Sequence, residues 1–288
     1  MAKTLYLHIG PHKTGTTSIQ RALFINDESL RKQGVLCPRS GRVNQKTAAQ
    51  HNLSWIFRQP IYPRFDPKFG LWEDLIAEIK SEPEMHTIIL SSEGFDFLTQ
   101  AQVFEVGNIL RDYEVKIVMY LRRQDVALQS TWVTLVRNLH GPEKVDSFLN
   151  WLVDSQYISW NTDYLGLIQK WAAVFGEQNM VLEVFNPKAF SDGLFSNFLS
   201  LCEIPLEKII LPNPWNPSPG VKTIEAIRFL KNNLSSDDIS LETWHRMVNL
   251  VNAYGDHHHW NENKVNYLNK SLSSKIMEQH EKANHEIA

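Results

Sequence analysis

Cysteine is nearly absent: 288 residues hold only Cys37 and Cys202, far apart and in no metal-ligand spacing. A disulfide scaffold and a cysteine-built zinc site are thereby excluded. No apolar run approaches the length of a membrane span. The N-terminal stretch Leu5-Tyr6-Leu7-His8-Ile9 is too short for the apolar core of a secretory signal. We therefore expect a soluble, cytoplasmic protein of a reducing compartment. A basic excess is missing too: 29 Lys plus Arg stand against 32 Asp plus Glu, for a formal charge of −3. Such a balance argues against a chain that coats nucleic acid. Neither an internal repeat nor a low-complexity tract occurs. The chain stops within a helical pattern, so a few further C-terminal residues are expected.

What is present is a large apolar inventory, 43% of the residues, with 11% aromatic. A chain of this length can bury roughly three-quarters of its unfolded surface without a covalent or metal staple. Short, nearly continuous apolar runs at residues 4–9, 86–91, 115–121 and 180–185 read as strands covered on both faces. Helical spacing separates them, beginning at Thr17 with Ile19, Ala22, Leu23 and Leu30 on one face, then at 72–80, 100–112, 124–138 and 163–175. Strands alternating with helices predict a doubly wound, mainly parallel α/β sheet flanked by helices. Beyond the proline-rich loop Pro205–Pro219, three helical stretches near 220–233, 240–253 and 264–284 form a helical C-terminal flank. One domain over residues 1–288 is expected.

The stretch Gly10-Pro11-His12-Lys13-Thr14-Gly15-Thr16-Thr17-Ser18 lies between the first strand and the first helix. Backbone N–H groups and a helix N-terminus make an anion site at such a place. A tight turn with a Thr/Ser helix cap is the competing reading. The strand–loop–helix context, the hydroxyl run and the lysine inside the loop favour the anion site. The loop is P-loop NTPase-like but departs from Gly-x-x-x-x-Gly-Lys-[Ser/Thr], because Thr16 follows Gly15 and the lysine, Lys13, precedes it. The nucleotide pattern uses that lysine on the β/γ-phosphates and the next hydroxyl on Mg²⁺. No apolar strand ends in a clear Mg²⁺-holding Asp. A kinase-like nucleotide enzyme is therefore disfavoured.

Lys-Thr-Gly-Thr-Thr after an N-terminal strand resembles the 5′-phosphosulfate loop of sulfotransferases that use 3′-phosphoadenosine 5′-phosphosulfate (PAPS), of the bacterial type. The resemblance implies that Lys13, Thr14, Gly15, Thr16, Thr17 and Ser18 hold the 5′-phosphosulfate, with Lys13 against the bridging oxygen. An ammonium there favours the transition state, where the leaving phosphate gains charge. Arg122, at the end of the third predicted strand, and Ser130, eight residues on, are similar to the family's second motif. They are implied to hold the 3′-phosphate, a task that suits a planar guanidinium. The family's Asn-Pro after the Arg is replaced by Arg123-Gln124, and Arg123 is expected to face away.

Cytosolic members carry a base His just past a central strand; Glu93 occupies that position here, and Ser91 that of the family's lysine. Heparan sulfotransferases use a Glu, so Glu93 is the expected base, with a turn cap at Gly94 as its alternative. His51 is the second candidate, as base or acceptor contact. His8 is expected to be buried structure, His12 to touch donor or acceptor, and His257-His258-His259 to be solvated loop rather than a metal site. Most of the nine tryptophans, including Trp55, Trp72, Trp132, Trp151, Trp160, Trp171 and Trp215, read as core, with one able to stack on adenine. Asn216, Ser218 and Lys222 fall where the family closes over the 3′-phosphate. The resemblance thus implies a metal-free enzyme that moves a sulfuryl group from PAPS to a small-molecule, carbohydrate or lipid acceptor and leaves PAP. A non-catalytic nucleotide-binding module is the other alternative.

Overall fold

A computed structural model describes residues 3–44, 46–59, 64–139, 144–154, 162–211, 219–235, 237–262 and 266–288. The chain groups into two compact units, residues 1–122 with 164–215, and residues 123–163 with 216–288.

The first unit is built on five strands: β1 (Thr4–His8), β2 (Val35–Leu36), β3 (Thr87–Ser91), β4 (Glu114–Leu121) and β5 (Met180–Val184). They pair in the order β2-β3-β1-β4-β5, every pairing parallel, with Leu5 opposite Ile88 on one side and Val115 on the other. The predicted doubly wound α/β sheet is the observed one. Four strands lie where the apolar runs put them; β2 is two residues long and offers no period to detect.

Alternation along β1 divides the core. Leu5 and Leu7 belong to one apolar cluster, with Ile88, Leu90, Ile117 and Trp171. Tyr6 belongs to the other, with Ile89, Val118 and Tyr120. Helix α1 (Thr16–Ile25) covers the Tyr6 face through Ile19, Ala22 and Leu23. α2 (Asp27–Arg31) adds Leu30 to the same face. After the short α3 (His51–Trp55), α4 (Trp72–Ser81) and α5 (Gln100–Ile109) cover the Leu5 face. Each fully buried aliphatic or aromatic side chain contributes roughly 1.5–3 kcal/mol relative to exposure. The chain leaving β1 therefore crosses to one face while the chain leaving β3 crosses to the other. That divergence opens a crevice at the carboxyl ends of β1 and β3, where open α/β sheets bind ligands.

The second unit is helical: α6 (Gln124–Arg137), α7 (Phe148–Asp154), then α10 (Val221–Asn233), α11 (Leu241–His257) and α12 (Lys270–Ile287) after the first unit's α8 (Tyr164–Phe175) and α9 (Gly193–Leu201). Trp132, Phe148, Ile227 and Trp244 form its core. The Trp132 indole N–H donates to the Asp146 carbonyl at 3.1 Å and that of Trp244 to the Arg137 carbonyl at 2.8 Å. Lys231 is buried, yet its ammonium donates to the carbonyls of Leu135 and Asn138 at 2.7 and 2.6 Å. These bonds satisfy the free carbonyls at the end of α6. Among the described residues no helix is long and apolar enough to cross a membrane.

Candidate active site

The loop between β1 and α1 curls tightly. Gly10, Lys13 and Gly15 all have positive φ, at 101°, 70° and 81°. For lysine this left-handed conformation costs on the order of 1–2 kcal/mol, and such strain gathers at ligand clamps. A side chain on Gly15 would collide with Leu194 and Phe185, so glycine is required there on two counts. Helix α1 begins immediately afterwards with no side-chain cap and no acidic residue in its first turn. Its N-terminal N–H groups and positive dipole end therefore suit an anion.

The residues of this loop do not all point outward. Thr14 is fully buried and its hydroxyl donates to the Pro11 carbonyl at 2.5 Å. It pins the loop, and can serve an anion only through its backbone. Thr16 is buried as well, whereas Thr17 is exposed and Ser18 half-buried. Arg122 reaches back to the loop, donating from Nη1 to the Lys13 carbonyl at 2.8 Å, with its guanidinium 5.5 Å from the Phe185 ring centroid. The strand-end arginine and the loop lysine are thus brought together across 109 residues. Among the described residues the buried Arg122 Nε has no acceptor. Arg123 is exposed and bonds Asp125 at 2.8 Å, so it does not share that position. Ser130 lies within α6 in the second unit, half-buried, and its carbonyl accepts from the Thr134 hydroxyl at 3.0 Å.

The other wall of the crevice follows β3. Ser91 and Ser92 are fully buried, and Glu93 opens a short 3₁₀ turn, Glu93–Phe97. A Cβ on Gly10 would lie 3.3 Å from the Glu93 Cα. Only glycine lets the two strand ends approach so closely. The Glu93 carboxylate accepts from Gln20 Nε2 at 2.9 Å, and His51 Nε2 lies 4.0 Å away. His51 Nδ1 is 2.9 Å from the Ser92 hydroxyl, and its ring stacks on Trp55 at 5.5 Å. The turn cap at Gly94 is supplied by Ser92 Oγ at 3.2 Å, not by Glu93, which leaves that carboxylate for other work. Behind Glu93, Gln20 also donates to Ser91 Oγ at 3.2 Å, and Ser91 Oγ meets His8 Nδ1 at 2.8 Å.

Electrostatics sharpen these roles. Burial pushes the Glu93 carboxyl up, but the charges of His51 and His12 and the Gln20 bond outweigh it and hold the group below its ordinary value. Burial pulls His51 below its ordinary value despite the attraction of Glu93, with His12 adding to the fall. Burial drives His8 down to about 4, so it stays neutral, a structural residue as expected. For His12 burial is the largest influence and lowers it, yet the charge and hydrogen bond of Asp96 overcome that, and the imidazole titrates above its ordinary value.

Sequence reasoning missed Gln20, Ser92 and Asp96. Gln20 had a signal: it is a polar side chain on the buried face of α1, only 2% exposed beside Ile19. Such a residue requires a polar partner. Asp96 stands one helical turn from Glu93, and nothing local tells that it would pair with His12.

Other expectations resolve simply. Trp171 is fully buried and packs on Phe175. Trp72 is core, bonding the Leu53 carbonyl at 3.1 Å. The His257–His259 triplet is exposed but not wholly loop. His257 ends α11, whose last turn outlasts the apolar spacing, and His259 pairs with Glu262 at 2.7 Å. Lys222 lies in the first turn of α10. Trp160, Trp215, Asn216 and Ser218 lie outside the described residues.

No family model matches the chain, and no curated protein sequence matches it. Among solved structures, retinol dehydratase in complex with androsterone and inactive cofactor PAP aligns with 96% of this chain and 78% of its own, at 15% identity and a TM-score of 0.34. A sulfotransferase from Alicyclobacillus acidocaldarius aligns over 85% of this chain and all of its own, at 15% identity and a TM-score of 0.51. The architecture of this chain, a parallel five-stranded sheet flanked by helices with a tight loop after β1, shares the fold of that sulfotransferase.

Proposed function

We propose that the chain is a PAPS-dependent sulfotransferase that moves the sulfuryl group in line to a hydroxyl or amine. One observation carries this reading: the Lys13 loop and the Glu93–His51 pair face each other at the ends of β1 and β3. The loop offers an uncapped helix N-terminus, a lysine and, through Arg122, a buried guanidinium nitrogen in want of an acceptor. These groups fit an anionic nucleotide. Lys13 and the α1 N-terminus hold the 5′-phosphosulfate, and Arg122 serves the 3′-phosphate.

The acceptor oxygen or nitrogen attacks sulfur, the bond from sulfur to the bridging oxygen breaks, and PAP departs with that electron pair. The acceptor's proton passes to Glu93. The Glu93 carboxyl lies below its ordinary value and is ionised at neutral pH, ready to accept that proton. Lys13 stabilises charge that develops only on the leaving oxygen, so its interaction strengthens in the transition state. His51, held by Ser92, orients the carboxylate and is the alternative base.

The test of the donor is calorimetry with PAP against AMP. PAP is expected to bind about tenfold tighter or more, the value of a charge-assisted contact to the extra phosphate. Equal affinities overturn the assignment. A kinase-like enzyme is separated by chelation. Lys13 precedes Gly15 instead of following it, which removes the Lys-Ser/Thr order that organises Mg²⁺. EDTA is therefore expected to leave transfer intact, and loss of activity restored by Mg²⁺ would favour phosphoryl transfer. A non-catalytic module would bind PAP yet turn over no acceptor in a screen with labelled PAPS.

A further inference from the structure

His12 stands in the anion loop between Pro11 and Lys13, but it is anchored to the opposite wall. Its Nδ1–H donates to Asp96 Oδ2 at 2.6 Å, and its backbone N–H donates to the same oxygen at 3.3 Å. The Asp96 side chain is only 6% exposed, and its buried Oδ1 has no donor among the described residues. A carboxylate so placed demands a cation. Phe97 packs against the imidazole in an edge arrangement at 4.9 Å, and the Arg58 guanidinium lies over the Phe97 ring at 4.5 Å. Lys170 of α8 donates to the Asp96 carbonyl at 3.2 Å. The imidazole is nevertheless 31% exposed, so part of the ring remains open to a ligand. Its charged neighbours are Lys13 on the loop, Glu93 and Asp96 on the 3₁₀ turn, and His51 on α3.

We propose that His12, held by Asp96, is a second cationic ligand of the loop for the anionic donor, acting beside Lys13 and only while its ring is protonated. The inference rests on the donor reading above and deepens it. A guanidinium or ammonium would be charged at every physiological pH, whereas an imidazole makes the grip on the donor depend on pH. The sign follows from the direction of the shift. Asp96 raises the titration of His12, so the charge is complete below the ordinary histidine value and is lost as pH rises through the raised one. The donor grip weakens over that same interval.

The test is calorimetric titration of PAP into the wild type, His12→Gln and Asp96→Asn from pH 5.5 to 9, with circular dichroism to verify folding. Comparing proteins at each pH cancels the titration of the ligand's own phosphates. His12→Gln is expected to bind PAP about tenfold more weakly at pH 6, with the deficit vanishing at high pH. Asp96→Asn is expected to move that loss to lower pH. A deficit that is absent, or constant across the series, overturns the inference and leaves His12 a loop clamp. Should either variant misfold, NMR titration of the wild type decides. The His12 resonance, assigned by its absence in His12→Gln or by triple-resonance methods, must titrate higher with PAP bound than without; an unchanged midpoint overturns the inference. If PAP fails to bind the wild type at any pH, the donor reading itself falls, an outcome distinct from binding to which His12 is indifferent.

Discussion

Glu93→Gln is expected to lower turnover by roughly 10²–10⁴-fold, the range set by removal of a positioned base, while PAP affinity stays nearly unchanged. Glutamine preserves the shape and can still meet Gln20, but it cannot take the acceptor's proton. The proposed donor contacts lie on the Lys13 loop and Arg122, which are held by the Arg122–Lys13 and Thr14–Pro11 bonds rather than by the carboxylate. Melting temperature measured alongside the rate separates chemistry from folding. A residue that only capped a turn would cost about a kilocalorie of stability and leave the rate per folded molecule intact. That role already belongs to Ser92. Because the folded carboxyl lies below its ordinary value, the free enzyme's activity should persist down through the ordinary carboxylate range and fall only as pH drops through the depressed value. His51→Ala provides the contrast. Collapse of the rate in His51→Ala alone moves the base to His51. Collapse in neither variant means the acceptor ionises unaided, and the catalytic assignment is wrong.

Lys13→Ala is expected to lower turnover by about 10²–10³-fold, comparable to removing one preorganised donor from a site of developing charge. Binding of PAPS should weaken far less than turnover falls, since the ammonium gains strength only as charge develops on the leaving oxygen. Single-turnover measurement with labelled PAPS separates the two effects. A change in affinity that accounts for the whole loss would make Lys13 a binding residue and nothing more. Alanine keeps its Cβ and so retains the backbone strain of this position, where φ is 70°. Lys13→Gly is the control: it relaxes the backbone while removing the same charge, and it should lose a similar factor.

Local signals in the chain specify the order of elements, the parallel sheet and the tight turn between β1 and α1. Apolar runs mark strands covered on both faces, period 3.6 marks α1, α4 and α6, and Gly15 next to a hydroxyl run marks a helix start after a turn. Only the tertiary structure decided which chemistry-bearing side chains meet. Gln20 reaches Glu93 across 73 residues, His51 reaches Ser92 across 41, and His12 reaches Asp96 across 84. None of these pairings has a period or a spacing, because each depends on how parallel strand ends are registered and on which face the chain crosses after them. The same holds within the loop. Its pattern announces an anion site, but not that Thr14 turns inward to Pro11, or that Arg122 arrives from 109 residues away to bind the Lys13 carbonyl. Local periodicity encodes which face of an element is buried. The partner that a buried polar group finds is a property of the packed fold.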